Sequence, residues 1–577
     1  MITRNEYPRP QFRRDNWLCL NGQWQFCFDD DNNGQLHGYH TGAVDFRSTI
    51  NVPFVYQYPA SGVNDQSVHD VLWYKRTFAI DQANAYKRAL LWFGGVDYVA
   101  DVWINGYHVA QHTGAYAAFC ADVTEYLGAQ NTLVVRVFDS LDDDNPRGKQ
   151  SWREGKPFSC FYTPGSGIWQ SVWMEFVGAD NIADYLLRPD YDHTAFCGEI
   201  TTAKGIADKL TLTATFEGKV VAEQTIMLSG KHADYHVSLP LTAFDGYDWS
   251  PEHPRLVHVD YALYAGDALV DLAHTRFGMR KISVDDHGKI CLNGRPYYQR
   301  LVLDQGYWKQ SGITPPSAAA LKTDIELAKA MGFNGARKHQ KTEDPYYCYY
   351  AEELGFLTWC EMPSAYRYNA REATNLATQW AEIVATARNC TSNVCYVPVN
   401  ESWGVRNITT DGAQQHFARS LYYLTKALDP ERLVSTNDGF ETVNPTDILG
   451  VHDYDSGTAA HFAKYDNGYD GMHPQGFVLF ADGEYYQGEP VLLTEFGGRA
   501  MQCDAKDGAW GYSGAAATVD DFLSQLRGIV QGVYSCDFQG YCYTQLTDVQ
   551  QEVNGLLTED RVPKADLNAL KRIFEGK

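Results

Sequence analysis

Two stretches of this chain drive an apolar, β-branched run up to a carboxylate. "VCYVPVNESWGV" reaches Glu401 and "PVLLTEFGGRA" reaches Glu495. One glutamate at a strand end is ordinarily a cap or a partner for an arginine. Two of them, brought face to face, are what cleavage of a glycosidic bond requires. One carboxyl group must protonate the departing oxygen, and the other must attack the anomeric carbon or activate a water. Burial and mutual repulsion would raise one pKa and leave the other carboxylate ionised.

The elements that must hold these groups are read from periodicity. From about residue 285, short β-like runs alternate with amphipathic helical stretches. The candidate strands are "PYYQRLVL", "FNGARKH", "FLTWCEM", "VCYVPVN", "RLVSTN", "DILGVHDY", "PVLLTEF" and "FQGYCYT". "PSAAALKTDIELAKAMG" and "GAQQHFARSLYYLTKALDP" read as helices, the first with a Pro-Ser start and a stop at Gly332. Eight such strands predict a (β/α)8 barrel over residues 283–577, with Glu401 ending strand 4 and Glu495 ending strand 7 at its C-terminal mouth.

Upstream, helical periodicity is nearly absent. Residues 1–182 read as a β jelly roll or sandwich, with a hairpin turn at Asn105-Gly106. Residues 183–282 read as an immunoglobulin-like sandwich of about seven strands.

Several motifs resemble glycoside hydrolase family 2, in family order. "VNESWG" resembles the acid/base motif and "LLTEFGG" the nucleophile motif. "FGGVDYVADVWINGYHVAQHTGAYAAFCADVTEYL" and "GSGIWQSVWME" look like the family's sugar-binding-type N-terminal domain. "RFGMRKISVDDHGKICLNGRPYYQR" looks like the entry into barrel strand 1, and "TDVQQEVNGLLTEDRVPK" like the segment after strand 8. The resemblance implies an exo-acting, retaining glycosidase with a covalent glycosyl-enzyme. Glu401 would be the acid/base and Glu495 the nucleophile, with carboxyl groups ~5 Å apart. It implies that Asn400 binds the sugar 2-hydroxyl, that Arg337 positions the nucleophile and that Tyr454 hydrogen-bonds it. Tyr543 falls where the family usually has a tryptophan platform.

The glycone motifs depart from the family. Where β-galactosidases and β-glucuronidases run into "N-R-H-E", this chain has "RLVLDQGYW", which puts Asp304 and Gln305 at the arginine and first histidine. Gln340 replaces a second histidine. An amide still binds hydroxyls but carries no charge. Asp304 holds either a hydroxyl pair of the glycone or a salt bridge with Arg300 or Lys338. The Asn-x-Lys of glucuronide-cleaving members is absent from "QEVNGLL", which disfavours an ordinary β-glucuronidase, although Lys338, Lys341 or Arg499 could supply a cation. Trp403 would wall the site, and Trp510 with Tyr512 would form a platform or lid. His339, His452 and Asp453 sit near the mouth in hydrogen-bonding roles.

β-Galactosidase activity is therefore the expected default. The alternatives are an α-L-arabinoside, β-galactofuranoside, β-glucuronide or β-mannoside as substrate, a transglycosylase, or a non-catalytic carbohydrate-binding protein. No metal and no cofactor are expected, because no ligand set has the right spacing. The formal charge of −24 argues against nucleic acid or an anionic membrane as partner. The aromatic share of 14% suits flat, hydroxyl-rich ligands as well as sandwich cores. The N-terminus shows no apolar signal segment and the thirteen cysteines are scattered, so a reduced, cytoplasmic protein is expected, with a homo-oligomer implied by resemblance.

Overall fold

The computed structural model describes residues 4–143, 145–229, 234–242, 246–455, 459–501 and 508–577. The alternating runs of the first third form a four-stranded and a six-stranded antiparallel sheet. Their inward positions, among them Trp24, Phe26, Leu72, Leu91, Val102, Val135 and Met174, close on one another as a single core. Asn105 and Gly106 both take positive φ (52° and 84°) and turn Val99–Ile104 into Tyr107–Thr113, the geometry a tight hairpin favours.

A second pair of sheets follows. One has three strands (Ile182–Asp190, Ala195–Thr202, Asp234–Pro240) and the other four (Lys209–Phe216, Lys219–Met227, Val257–Ala265, Ala268–Phe277). Leu212, Val259, Tyr261 and Phe277 fill the space between them.

Eight parallel strands then wrap round a common axis: β1 (Gln299–Asp304), β2 (Gly335–Lys338), β3 (Leu357–Glu361), β4 (Asn393–Val397), β5 (Leu433–Val434), β6 (Leu449–Asp453), β7 (Val491–Gly497) and β8 (Gly540–Thr544). Each coincides with one of the eight runs anticipated from sequence, and β8 pairs with β1. The ladder is open between the short β5 and β6, where Asp447 N–H donates to Val434 O at 2.8 Å. Leu301, Leu303, Trp359, Val397 and Cys542 point into the barrel, while Val302, Phe496, Tyr541 and Tyr543 point out to helix residues such as Leu570 and Phe574. The two anticipated helices are Ala318–Ala330, capped by Ser317, and Gly412–Leu428, capped by Asp411. Among the described residues, no helix is long and apolar enough to cross a membrane.

Candidate active site

Glu495 reaches the mouth through a bulge. β7 carries one extra residue at Thr494–Glu495 against both neighbours: Val451 and His452 of β6 face Leu493 and Glu495, and Tyr541 and Tyr543 of β8 face Leu493 and Phe496. Leu493 faces the helices, so plain alternation would send Glu495 outward too; the extra residue turns it in. Glu401 is placed differently. β4 ends at Val397, and Glu401 sits in a turn beyond it with φ of +51°, so it does not close the strand as expected. Its N–H donates to Asp438 O at 2.9 Å, and Ser402 N–H donates to Asn437 Oδ1 at 3.0 Å. The segment after β5 therefore holds a backbone that a non-glycine residue rarely adopts.

The two carboxylates converge on a third group. One donor atom each from Glu401, Glu495 and His452 lie within 4.8 Å of one another. Arg337, fully buried on β2, donates to Glu361 Oε2 at 2.7 Å and Glu495 Oε1 at 3.1 Å, and also to Asn400 Oδ1. It pairs with Asp438 Oδ2 at 2.9 Å. Tyr454 O–H donates to the other oxygen of Glu495 at 2.5 Å. The nucleophile candidate is thus gripped on both oxygens. Asn400 is held by its oxygen, and its buried amide nitrogen has no partner, leaving a donor aimed into the site.

His452 places Nδ1 at 2.7 Å from Glu401 Oε1 and Nε2 at 3.0 Å from Asp438 Oδ2. Both ring nitrogens face carboxylates, so the imidazolium form donates twice. Burial disfavours its charge, but Glu495, Asp438 and Glu401 outweigh burial and push its pKa up to about 10. Burial likewise works to raise the Glu401 pKa, but the His452 hydrogen bond and charge, with Lys149 and His339, hold it down at about 2. A quarter of the Glu401 side chain remains open to water, which screens part of this pull. The three groups have metal-ligand chemistry when His452 is in its neutral form.

The remaining sequence candidates divide. Trp403 Nε1–H donates to Glu401 Oε2 at 3.3 Å, and its ring meets Tyr366 and Phe161 edge-on at 4.9 and 5.6 Å. Trp510 contacts Tyr512, and Tyr512 stacks on Tyr454 at 4.2 Å. Gln340 and Gln305 are buried: Gln340 Oε1 accepts from Tyr366 O–H at 3.2 Å, and Gln305 Nε2–H donates to Gln545 Oε1 at 2.8 Å. Each keeps one amide atom without a partner. Asp304 is no free hydroxyl acceptor. Its oxygens take Lys338 Nζ at 2.8 Å and Gly306 N–H at 2.9 Å, the salt-bridge alternative. Tyr543 is no sugar platform. Alternation along β8 turns its ring out against Phe574 at 5.0 Å, while Thr544 faces in and meets Tyr454 O–H at 3.1 Å. Asp453 also points outward, to Tyr465, His461 and Lys464. His339 Nδ1 lies 3.1 Å from Glu361 Oε1.

Sequence reasoning missed Glu361, Asp438, Lys149 and Glu552. Glu361 ends β3 in "TWCE", a strand-end signal like the one that marked Glu495. Lys149 lies in the first sandwich, far from the barrel in sequence. Its segment is clamped to the mouth on two sides: Arg147 and Gly148 N–H donate to Ser364 O at 3.0 and 3.1 Å, and Tyr162 O–H donates to Glu552 Oε2 at 2.6 Å. Gly148 has φ of +59°, and a Cβ there would come within 2.2 Å of the Gln340 carbonyl oxygen. Gly148→Ala is expected to undock the segment at a cost of about 1–3 kcal/mol. Limited proteolysis within residues 144–163 should accelerate, with a loss of hydrolytic rate; unchanged proteolysis would mean that the close approach relaxes freely.

Residues 18–155 match the family model described as glycosyl hydrolases family 2, sugar binding domain. A putative β-glucuronidase of Formosa agariphila is 24% identical over 470 residues, covering 76% of this chain and 53% of that protein. A β-galactosidase of Thermoanaerobacter pseudethanolicus is 25% identical over 430 residues, covering 72% of this chain and 54% of that protein. The chain thus spans about half the length of these curated relatives. Among solved structures, a β-glucuronidase from Ruminococcus gnavus bound to an N1-substituted uronic isofagomine superposes with a TM-score of 0.78 at 18% identity, covering 99% of this chain and 100% of that one. That likeness is one of fold.

Proposed function

We propose, on the premise that the chain belongs to glycoside hydrolase family 2, that it is an exo-acting retaining glycoside hydrolase removing one terminal non-reducing sugar. The observation that carries this reading is that one carboxylate oxygen of Glu401 and one of Glu495 lie within 4.8 Å of each other, which puts the two groups on the short side of the range. Retaining enzymes bring their carboxyl groups to about 5–5.5 Å, whereas inverting enzymes leave about 6.5–9.5 Å for a water.

In the first step Glu495 attacks the anomeric carbon, the bond to the aglycone oxygen breaks, and that oxygen takes the proton held by the Glu401–His452 pair. In the second step Glu401 accepts a proton from water, the hydroxide attacks the anomeric carbon, and the ester to Glu495 breaks. Arg337 and Tyr454 fix the nucleophile's two oxygens and balance its charge. The free amide N–H of Asn400 would donate to the sugar 2-hydroxyl, a contact that strengthens in the transition state. Residues 147–163 close one side of the mouth, which suits removal of a chain-end sugar. We read residues 1–182, 183–282 and 283–577 as jelly-roll, immunoglobulin-like and catalytic domains.

The names of the relatives divide between β-glucuronidase and β-galactosidase. A neutral β-galactoside is the default from sequence, and a uronide is the second reading, which Lys149 favours. The test of the mechanism is proton NMR of the first sugar released from a β-glycoside. The β-anomer should appear before mutarotation, and a 2-deoxy-2-fluoro glycosyl fluoride should label Glu495. Initial release of the α-anomer would overturn the retaining reading.

A further inference from the structure

A cavity of about 260 Å³ lies outside the mouth, where the two sandwiches meet the barrel. It is bounded by the helices Pro345–Leu354 and Ala370–Ala387 and by the outer face of β3. Leu357 and Trp359 of that strand point into the barrel, so alternation turns Thr358 and Cys360 outward to the cavity. Cys348 and Ile383 line it from the helices, Trp92 and Trp173 from the first sandwich and Tyr185 from the second. Trp92 and Trp173 lie parallel, with ring centroids 5.7 Å apart. An apolar cavity of about 150 Å³ holds benzene, so this one has room for an aromatic ring with a short side chain.

Several polar groups on its wall have no partner. The half-buried Arg9 guanidinium lies over the rings of Trp92, Phe12 and Tyr185 at 4.7, 5.0 and 5.9 Å. Among the described residues it makes no hydrogen bond and no ion pair. Asn393 is 1% exposed, and neither atom of its amide is paired. Thr342 Oγ1 and Trp92 Nε1 are buried without partners as well. Buried polar groups are ordinarily satisfied, and a few unpaired ones converging on an apolar cavity fit a small-molecule site. The remaining charges on the wall cancel one another. Lys338 and Lys341 each pair with Glu343 at 2.9 Å, Asp344 with Arg4 at 2.8 Å and Asp184 with Arg388 at 3.5 Å. Arg9 is the cation of this wall left without a counter-ion, so the group that completes it is an anion.

We propose that this cavity is a second ligand site, separate from the mouth, for a small aromatic carboxylic acid. The ring lies among Trp92, Trp173 and Tyr185, as flat apolar bodies lie against aromatic walls. The carboxylate takes the forked donor of Arg9, whose geometry matches two carboxylate oxygens. One guanidinium balances one negative charge, which favours a carboxylate over a phosphate. Asn393 supplies a donor and an acceptor for a polar substituent of the ligand.

The experiment titrates wild type, Arg9→Met and Cys348→Phe with 3-phenylpropionate and with its neutral amide, by calorimetry. Wild type should bind the acid at least about 10-fold more tightly than the amide. Arg9→Met should cut the affinity for the acid about 10–100-fold and leave that for the amide in place. Cys348→Phe fills the cavity and should abolish binding of both, with thermal unfolding as the check that it folds. No binding of the acid to wild type would overturn the proposal. So would an acid-to-amide ratio that survives Arg9→Met, or an acid affinity that survives Cys348→Phe. Competition between the acid and a p-nitrophenyl glycoside would place the acid in the mouth, which overturns the proposal as well.

Discussion

Glu495→Gln is expected to lower kcat by about 10⁵-fold on every glycoside, whatever its leaving group. An amide is isosteric, and its oxygen can still accept from Arg337 while its NH2 donates to the Tyr454 hydroxyl oxygen, so the fold and substrate binding should persist while nucleophilic attack is lost. Glu401→Gln should behave differently. It removes the proton donor for the departing oxygen, which matters little when that oxygen leaves readily. A dinitrophenyl glycoside should therefore keep its first step, and the glycosyl-enzyme should accumulate because no base activates the water. An alkyl glycoside should be nearly inert. Burst kinetics with the two leaving groups measure this contrast. Equal losses on both substrates would remove Glu401 from the acid role, and near-normal turnover of Glu495→Gln would refute the nucleophile assignment.

His452→Gln is expected to move the alkaline limb of the kcat/KM profile downward by about two pH units or more. The pair formed by Glu401 and His452 at 2.7 Å holds one proton. Its imidazolium keeps that proton up to about pH 10, against burial, because Glu495, Asp438 and Glu401 surround it. The proton for the leaving group is thus stored on the histidine and shifts to Glu401 as the glycosidic oxygen takes it. Without an imidazole, Glu401 must hold the proton alone. Its pKa rises from about 2 once the positive neighbour is gone, yet a carboxyl group still titrates far below His452. An alkaline limb that stays in place would show that the pair is not the proton store. The same raised pKa bears on stability. A histidine held charged in the folded state contributes stability that is full below its ordinary value of 6.5 and is lost as pH rises through about 10. Thermal unfolding of wild type should therefore weaken across that window, and His452→Gln should flatten this trend.

Much of the barrel is legible in the linear chain because it is local. A strand buried on both faces favours a run rich in apolar residues, and each of the eight anticipated runs contains one of β1 to β8. Ser317 and Asp411 cap their helices because a side-chain oxygen beside a free backbone N–H is a neighbour-to-neighbour interaction. Asn105-Gly106 makes its hairpin for the same reason, since only residues tolerant of positive φ fit there. The two glutamates stood out because a carboxylate closing an apolar run is costly unless it is used.

The parity of side chains and the identity of remote partners were decided by the tertiary structure. One extra residue in β7 turns Glu495 inward, and a bulge leaves no trace in a list of residue types. Tyr543 and Thr544 are adjacent and chemically plausible, and only pairing with β1 and β7 settles that the ring faces the helices and the hydroxyl faces Tyr454. Asp304 carries a charge that Lys338 cancels, a pairing set by how β1 lies beside β2. Lys149 reached the mouth through contacts such as that between Tyr162 and Glu552, 390 residues apart in the chain. Sequence alone therefore determined which barrel segments are strands and singled out the two glutamates that meet at the mouth. Folding in three dimensions decided which faces look inward and which charges meet, because those depend on contacts that no local pattern encodes.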